Sequence, residues 1–99
     1  MNCTRTDTDN ETRLELAGAL DAHTAPEVRP VFDAVVAAQR ARVSLDLTKL
    51  TLIDSSGVGA LVSLYKRVKA QGGQVVVFGV RDQPLSVFKL LKLDRVFAL

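Results

Sequence analysis

The chain has 99 residues, 47% of them hydrophobic and 24% charged, which suits a small fold with one core and leaves little room for an elaborate cleft. Its 13 basic and 11 acidic residues are mixed along the sequence and give a formal net charge of +2. The basic residues are not interleaved with aromatic residues, and such interleaving is typical of nucleic-acid binding. Cys3 is the only cysteine, which excludes an internal disulfide bond and a cysteine metal cage.

The sequence carries no signal for export or for membrane insertion. Residues 1–13 contain no apolar stretch resembling a secretion signal, and the longest apolar runs are too short to cross a bilayer. A lone cysteine fits a reducing compartment. Because no internal repeat, low-complexity tract or linker divides the chain, residues 1–99 are predicted to form one soluble cytoplasmic domain that binds neither membrane nor nucleic acid.

The amino-terminal part is predicted to form a β-hairpin. In residues 1–11, threonines alternate with other mostly polar residues, a pattern typical of an exposed edge strand or a loose arm. From Thr12 apolar and charged side chains alternate more clearly, and Leu14 and Leu16 indicate a half-buried strand that ends near residues 19–21.

A helix is expected next. Thr24-Ala25-Pro26-Glu27 has the spacing of a capping box, in which the threonine hydroxyl and the glutamate satisfy each other's exposed main-chain amides. Apolar residues follow at helical spacing: Val28, Val31, Phe32, Val35 and Val36. Pro30 lies too deep for a helix that begins at Ala25, because it removes one hydrogen bond and crowds the carbonyl of Pro26. The first turn is therefore predicted to be kinked or not helical.

The rest of the chain alternates strands with helices. Residues 43–53 have the alternation of a strand, residues 58–70 repeat the helical spacing, and two glycines stop that helix at residues 72–73. Residues 75–80 are almost continuously apolar, as expected of a parallel strand covered on both faces. Pro84 opens a last helix, and residues 96–99 are predicted to add a short closing strand. These elements predict the α/β class, with a mixed, mostly parallel β-sheet packed by helices.

Residues 54–59, Asp-Ser-Ser-Gly-Val-Gly, form a predicted polar turn between a strand and a helix. Ser55 then lies at a helix start, where main-chain amides and the helix dipole favour an anion, so its hydroxyl is suited to accept a phosphoryl group. The alternative role is structural, with Asp54 or Ser55 capping the helix. Gly57 and Gly59 are poor helix formers, which indicates that a partner surface or a phosphoryl group approaches the backbone closely here.

Catalytic and ligand-binding roles for this turn find less support. Ser55, His23 and Asp21 could form a hydrolytic triad, but the hydrolase elbow places glycines on both sides of its serine, whereas both glycines here follow the serines. The lysine and hydroxyl of a phosphate-binding loop are absent after Gly59. No spaced set of histidine, cysteine and acidic residues indicates a metal site. The sequence therefore predicts a protein that is not an enzyme and holds no cofactor or metal.

Residues 53–59, Ile-Asp-Ser-Ser-Gly-Val-Gly, resemble the motif of bacterial anti-sigma factor antagonists, or anti-anti-sigma factors, of the STAS superfamily. The strand at residues 44–47 and the two glycines at residues 72–73 fit the same family. Gly18, Leu20-Asp21 and Thr24-Ala25 resemble its second signature, the turn after an early strand. The likeness extends from about residue 12 to the end of the chain and implies a STAS-type fold and a protein that works by binding.

In that family, an unmodified antagonist captures an anti-sigma factor, a serine kinase of the ATP-binding histidine-kinase-like fold, and so releases a sigma factor for transcription. The kinase phosphorylates the first serine of the motif, the complex dissociates, and a metal-dependent serine phosphatase resets the switch. The resemblance implies that Ser55 is the phosphorylation site and that ATP belongs to the partner. The implied partner-binding residues are Asp21, Thr24, Asp54, Ser56, Gly57, Val58 and Gly59.

Two residues depart from the family pattern: Ala19 stands where many members carry an acidic residue, and Pro30 lies within the first helix. Both bear on the identity of the partner more than on the switch. The alternative within the same fold is a STAS regulatory subunit of a transporter or of a stress-sensing complex, since fold alone does not decide function. Those relatives often carry threonine or other changes in the turn, so the intact Asp54-Ser55-Ser56 favours the phosphorylated branch.

Overall fold

Four strands and four helices make up the computed structural model, which describes residues 1–99. The strands are β1 (Asn2–Asp7), β2 (Glu11–Leu20), β3 (Arg42–Ile53) and β4 (Gln74–Phe78). The helices are α1 (Ala25–Ala37), α2 (Ser55–Ala70), α3 (Asp82–Leu90) and α4 (Leu93–Val96). None of the helices has both the length and the apolar character that a membrane span requires.

The strands form one sheet in the order β1-β2-β3-β4. β1 runs antiparallel to β2, from the pair Asn2 and Ala17 to the pair Asp7 and Thr12, while β2, β3 and β4 run parallel. This arrangement confirms the predicted α/β class with a mixed, mostly parallel sheet and an amino-terminal hairpin. It also shows that residues 2–7 form an edge strand rather than a loose arm.

One face of the sheet carries the hydrophobic core. Leu14 and Leu16 of β2 and Val43, Leu45 and Leu47 of β3 are fully buried. They pack in one cluster with apolar residues of α1, α2 and α3. Because side chains alternate across a strand, the residues between them lie on the opposite face of the sheet, which is polar.

On this polar face, Asp46 of β3 is only 8% exposed, and hydrogen bonds engage its carboxylate. It accepts from the main-chain amide and the hydroxyl of Thr48, at 3.0 and 2.6 Å, and from the Arg13 guanidinium at 2.8 Å. Burial acts to raise the pKa of Asp46, but these bonds outweigh it and hold the pKa below its usual range. The bonds lie where β3 shifts its register against β2.

The predicted capping box of α1 is wrong. The Thr24 hydroxyl donates to the Ala19 carbonyl at 2.8 Å and accepts from the Asp21 amide at 2.9 Å, so it caps no helical amide. Thr24 has φ −97° and ψ −21°, which are helical angles, whereas a capping residue is usually extended. Its hydroxyl therefore closes the turn between β2 and α1 rather than the first turn of the helix.

Of the two predicted effects of Pro30, a non-helical first turn is wrong, because α1 is helical from Ala25 and continues through Pro30. The kink stays a prediction. Pro26 and Pro30 both lie on the exposed side of the helix, so the Pro26 carbonyl that lacks a helical donor is open to water. Buried Phe32 and Val35 hold the other side of α1 against the core.

The last strand and the helix after it differ from the prediction. β4 ends at Phe78 and lies at the sheet edge with only Val77 buried, so it is not covered on both faces. Gly79 follows with φ +77°, a left-handed angle that glycine adopts without strain, and the strand ends there. α3 begins at Asp82 rather than at Pro84.

The expected closing strand at residues 96–99 is absent. The chain instead makes the single helical turn α4, after Lys92 takes a left-handed conformation with φ 60°. This turn places Phe97 against Tyr65 and Phe88, with ring centroids 5.5 Å apart in both pairs. Packing of the Phe97 ring against two other aromatic rings thus fixes the conformation of residues 96–99. All four of these residues are apolar, so the sequence had no periodicity to distinguish helix from strand.

Candidate functional site

The site is built around the junction between β3 and α2. Asp54 is extended and caps α2, since its Oδ1 accepts from the Gly57 amide at 3.0 Å and its carbonyl accepts from the Val58 amide at 2.9 Å. Of the two capping residues considered from the sequence, Asp54 is therefore the one that caps. Because α2 begins at Ser55, the predicted polar turn at residues 54–59 is mostly helical, and the helix starts three residues before residue 58.

A second set of bonds joins this junction to the turn between β2 and α1. Asp54 Oδ2 accepts from the Ala22 amide at 3.1 Å, and the Asp54 amide donates to the Leu20 carbonyl at 3.2 Å. The two segments that carry the family resemblance therefore meet in space. Ala22 contributes only its main chain, so no side-chain pattern in the sequence could have revealed this contact.

Asp21 and Thr24 shape the same turn. Asp21 Oδ1 accepts from the His23 amide at 2.9 Å and from the Thr24 amide at 3.1 Å. The hydrogen bond from the Thr24 amide is the main cause that lowers the pKa of Asp21, so the carboxylate is held in its ionised form. Both residues lie beside the junction, and their polar side-chain atoms bond within their own turn.

The two glycines of the motif differ in their surroundings. A Cβ atom on Gly57 would lie 2.4 Å from the Leu20 carbonyl oxygen and 2.7 Å from Cγ1 of Ile53. Gly57 is therefore needed for a contact inside the protein, which corrects the expectation that a partner or a phosphoryl group requires it. Gly59 is exposed, and a Cβ there would meet nothing within 4 Å. For Gly59, the role in partner binding stays a prediction.

Ser55 is exposed at the first position of α2, and its hydroxyl makes no hydrogen bond within the protein. The main-chain amides of Ser55 and Ser56 lie in the first turn of α2, where no earlier helical carbonyl can accept from them. They too have no hydrogen-bond partner in the chain. Ser56 and Val58 are half-buried. A phosphoryl group on Ser55 would therefore meet two free N–H donors and the positive end of the helix dipole.

No cleft surrounds Ser55. The two cavities of the structure have volumes of about 230 and 200 Å³, and neither is lined by Ser55, His23 or Asp21. His23 is exposed, and its imidazole bonds to neither of the other two, so the three residues do not form a triad. No group of three or more histidine, cysteine or acidic residues is placed to hold a metal ion. The site is an open surface.

The model of the STAS domain family matches residues 4–99. The chain belongs to the STAS domain family. The anti-sigma F factor antagonist of Paenibacillus polymyxa is 34% identical over 85 residues, which cover 85% of this chain and 70% of that protein. The anti-sigma-B factor antagonist of Listeria monocytogenes is 28% identical over 81 residues, 82% of this chain and 71% of that protein. The resemblance inferred from the motif is thus confirmed.

The fold of this STAS domain is also similar to solved structures of the family. The crystal structure of an anti-sigma factor antagonist from Mycobacterium paratuberculosis has a TM-score of 0.84 and 25% sequence identity. The match covers 97% of this chain and 81% of that chain. The sheet order and the helix that begins within the Asp-Ser-Ser motif are therefore those of a STAS fold.

One residue beside the motif of this STAS domain was not predicted from the sequence. Gln83, in the first turn of α3, binds both main-chain groups of Ile53, the residue before the cap Asp54. The two residues are 30 positions apart, and an exposed glutamine next to a proline has no pattern that could have identified the contact.

Proposed function

We propose that this chain is an anti-sigma factor antagonist that binds an anti-sigma factor serine kinase and is released when Ser55 is phosphorylated. The names of its relatives support the general role. The observation that carries the finer proposal is the free, exposed hydroxyl of Ser55 at the start of α2, outside any cleft. The proposed action is binding rather than catalysis by this chain.

The proposed docking surface surrounds Ser55 and is here named the switch surface. It consists of exposed or half-buried residues from the two turns that Asp54 joins: Ala22, His23, Ser55, Ser56, Val58 and Gly59. Small side chains dominate this set, so a partner can approach the backbone closely. Asp54 and Gly57 lie behind it and support its shape through their contacts with Ala22 and Leu20.

In the proposed phosphorylation step, the bound kinase supplies ATP. The Ser55 oxygen attacks the γ-phosphorus, the bond from that phosphorus to the bridging oxygen of ADP breaks, and the hydroxyl proton passes to a base of the kinase. The products are phosphorylated Ser55, ADP and a proton. A serine phosphatase would later hydrolyse the exposed ester with water and restore the hydroxyl.

The added charge gives a physical account of release. Phosphorylation adds about −1.5 to −2 charge units at the switch surface, and two unit charges about 5 Å apart repel by roughly 3 kcal/mol at an effective dielectric constant near 20. The same repulsion against acidic groups of a partner lowers affinity, since about 1.4 kcal/mol corresponds to a factor of ten. One acidic group of the partner at that distance from the phosphoryl group would lower the affinity about a hundredfold.

The free protein should tolerate the modification. The amides of Ser55 and Ser56 are available to bind phosphoryl oxygens, and the helix dipole contributes up to about 1 kcal/mol at such a position. Neither Asp54 nor Gly57 has to move, because their hydrogen bonds do not involve Ser55. The phosphorylated chain is therefore expected to stay folded.

The test combines mass spectrometry with affinity capture. The purified chain is incubated with ATP and an extract of its source cells, and its intact mass is measured while bound proteins are recovered. A gain of one phosphoryl mass on Ser55, together with capture of a serine kinase that also binds a sigma factor, supports the proposal. Capture of a membrane transporter without phosphorylation would instead favour the regulatory-subunit alternative.

A further inference from the structure

Gln83 makes a two-point contact with the strand that leads into the switch surface. Its side-chain Oε1 accepts from the Ile53 amide at 2.9 Å, and its Nε2 donates to the Ile53 carbonyl at 2.9 Å. One amide side chain thus satisfies both main-chain groups of one residue, in the same way as a neighbouring strand would.

The contact occurs where β3 has no strand partner on that side. The pairing of β3 with β4 ends at Asp46 and Phe78, whereas β3 continues to Ile53. Ile53 is only 2% exposed, so its main-chain amide and carbonyl are shielded from water and need partners in the protein. Gln83, which is an exposed residue of α3, supplies the partners of both main-chain groups.

Ile53 directly precedes Asp54, which caps α2 and binds the Ala22 amide. Any displacement of the Ile53 main chain would move this cap, and Ser55 follows the cap directly. Gln83 therefore holds the strand end from the α3 side, while Asp54 holds it from the side of the β2–α1 turn.

We propose that Gln83 is a positioning residue for Ser55. Gln83 fixes the end of β3, so that the start of α2 presents the Ser55 hydroxyl in the geometry that a kinase requires. The inference rests on the proposed function for its consequence in phosphorylation. Its structural part concerns this chain alone. The two parts can therefore be tested separately.

The variant Gln83→Glu is nearly isosteric and changes one of the two hydrogen bonds. Its carboxylate still accepts from the Ile53 amide, but at neutral pH it cannot donate to the Ile53 carbonyl. The matched control is Gln71→Glu, because Gln71 Nε2 also donates to a main-chain carbonyl, that of Val36 at 2.9 Å, between α2 and α1. Both variants lose one amide-to-carbonyl bond, and only the first loses it beside the motif.

The first measurement uses nuclear magnetic resonance on the free protein. The two bonds open together when the Gln83 contact breaks, so loss of the carbonyl bond makes this opening easier although the Ile53 amide keeps its own acceptor. In Gln83→Glu the protection of the Ile53 amide against exchange should therefore fall about tenfold, which corresponds to the one hydrogen bond lost. The amides of Asp54, Ser55 and Gly57 should shift. Lowering the pH below about 4.3 protonates the introduced carboxylate, which can then donate again and should restore the protection factor. The Gln71→Glu control should leave all these amides unchanged.

The second measurement uses the serine kinase captured in the pull-down, with ATP. Relative to the wild type and Gln71→Glu, Gln83→Glu should be phosphorylated on Ser55 with kcat/KM about tenfold lower, while thermal unfolding shows that both variants stay folded at the assay temperature. An unchanged kcat/KM despite lost Ile53 protection would overturn the inference, and so would unshifted Asp54 and Ser55 amides. If the wild type itself is not phosphorylated, the proposed function fails, and the amide measurements alone decide whether Gln83 positions Ser55.

Discussion

Gly57 on α2 packs so closely against Leu20 on β2 that a Cβ atom at position 57 would lie 2.4 Å from the Leu20 carbonyl oxygen. The same Cβ atom would lie 2.7 Å from Cγ1 of Ile53. Asp54 forms its hydrogen bonds to Leu20 and Ala22 beside this contact. The first turn of α2 is thus fixed on the end of β2 by packing as well as by hydrogen bonds, and Ser55 is held with it.

Gly57→Ala is expected to destabilise the protein by about 1–3 kcal/mol, the usual cost of overpacking a tight site. Alanine gains about 1 kcal/mol over glycine in a helix, but the obstructing atom is a main-chain oxygen that cannot move aside as a flexible side chain can. Urea unfolding measures the change. The matched control is Gly59→Ala, where space is open, so its free energy of unfolding should rise by up to about 1 kcal/mol. Equal effects of the two substitutions would contradict this account.

The sequence predicted the elements whose side chains repeat with a clear period. Leu14 and Leu16 alternate with charged residues, so β2 was identified, and the order of strands and helices led to the mixed sheet. The motif also located the start of α2 to within three residues, because Asp54 and Ser55 have chemistry that belongs at a helix end.

The sequence could not predict features that depend on distant neighbours. Thr24 matched a local capping rule, but the Ala19 carbonyl and the Asp21 amide compete for its hydroxyl and determine its role. Gln83 reaches Ile53 across 30 residues, a contact with no periodic signal. The reason for Gly57 was likewise misjudged, since only the folded chain brings the Leu20 carbonyl against it.

Ser55→Ala should bind the anti-sigma kinase as the unmodified protein does and accept no phosphoryl group. Ser55→Asp should bind about tenfold more weakly or worse, because it places a negative charge on the switch surface. A carboxylate carries less charge than a phosphoryl group, so this loss is a lower bound for the effect of phosphorylation. Titration calorimetry with the purified kinase measures both affinities. Superimposable titration curves would refute the charge switch.

The control for this prediction is Ser56→Ala. Ser56 is half-buried, whereas Ser55 is exposed, so removal of the second hydroxyl should leave phosphorylation intact. Peptide mapping of the labelled variant should place the phosphoryl group on Ser55. A label that disappears with the Ser56 hydroxyl would overturn the assignment of the acceptor.

Substitutions of Asp54 should separate its two roles. Asn is as good a cap as Asp, so Asp54→Asn should keep the bond to the Gly57 amide and lose the one to Ala22, destabilising the protein by about 1 kcal/mol. Asp54→Ala removes both bonds and should destabilise by about 2 kcal/mol. Thermal unfolding gives the stabilities, and amide exchange at the start of α2 reports the cap. Similar losses in the two variants would show that the bond to Ala22 carries the effect alone.

The ionisation of Asp46 should make the free energy of unfolding depend on pH in the acid range. Because the pKa of Asp46 is held below its usual range in the folded protein, its ionised form stabilises the fold. This contribution is fully present above the pKa of the unfolded chain, about 3.9, and is lost as the pH falls through the lower pKa of the folded state. At neutral pH, Asp46→Asn should reduce the free energy of unfolding by about 1 kcal/mol, since its amide cannot accept from both Thr48 and Arg13.

Urea unfolding of the wild type and Asp46→Asn across the acid range measures this dependence. The difference in free energy of unfolding between them should be constant above about pH 5 and shrink as the pH falls below about 4. Asp33→Asn is the matched control, because the ion pair of Asp33 with Arg67 at 2.7 Å is exposed and such pairs contribute less than about 1 kcal/mol. A difference for Asp46→Asn that stays constant down to about pH 2 would mean that the charge on Asp46 does not stabilise the sheet.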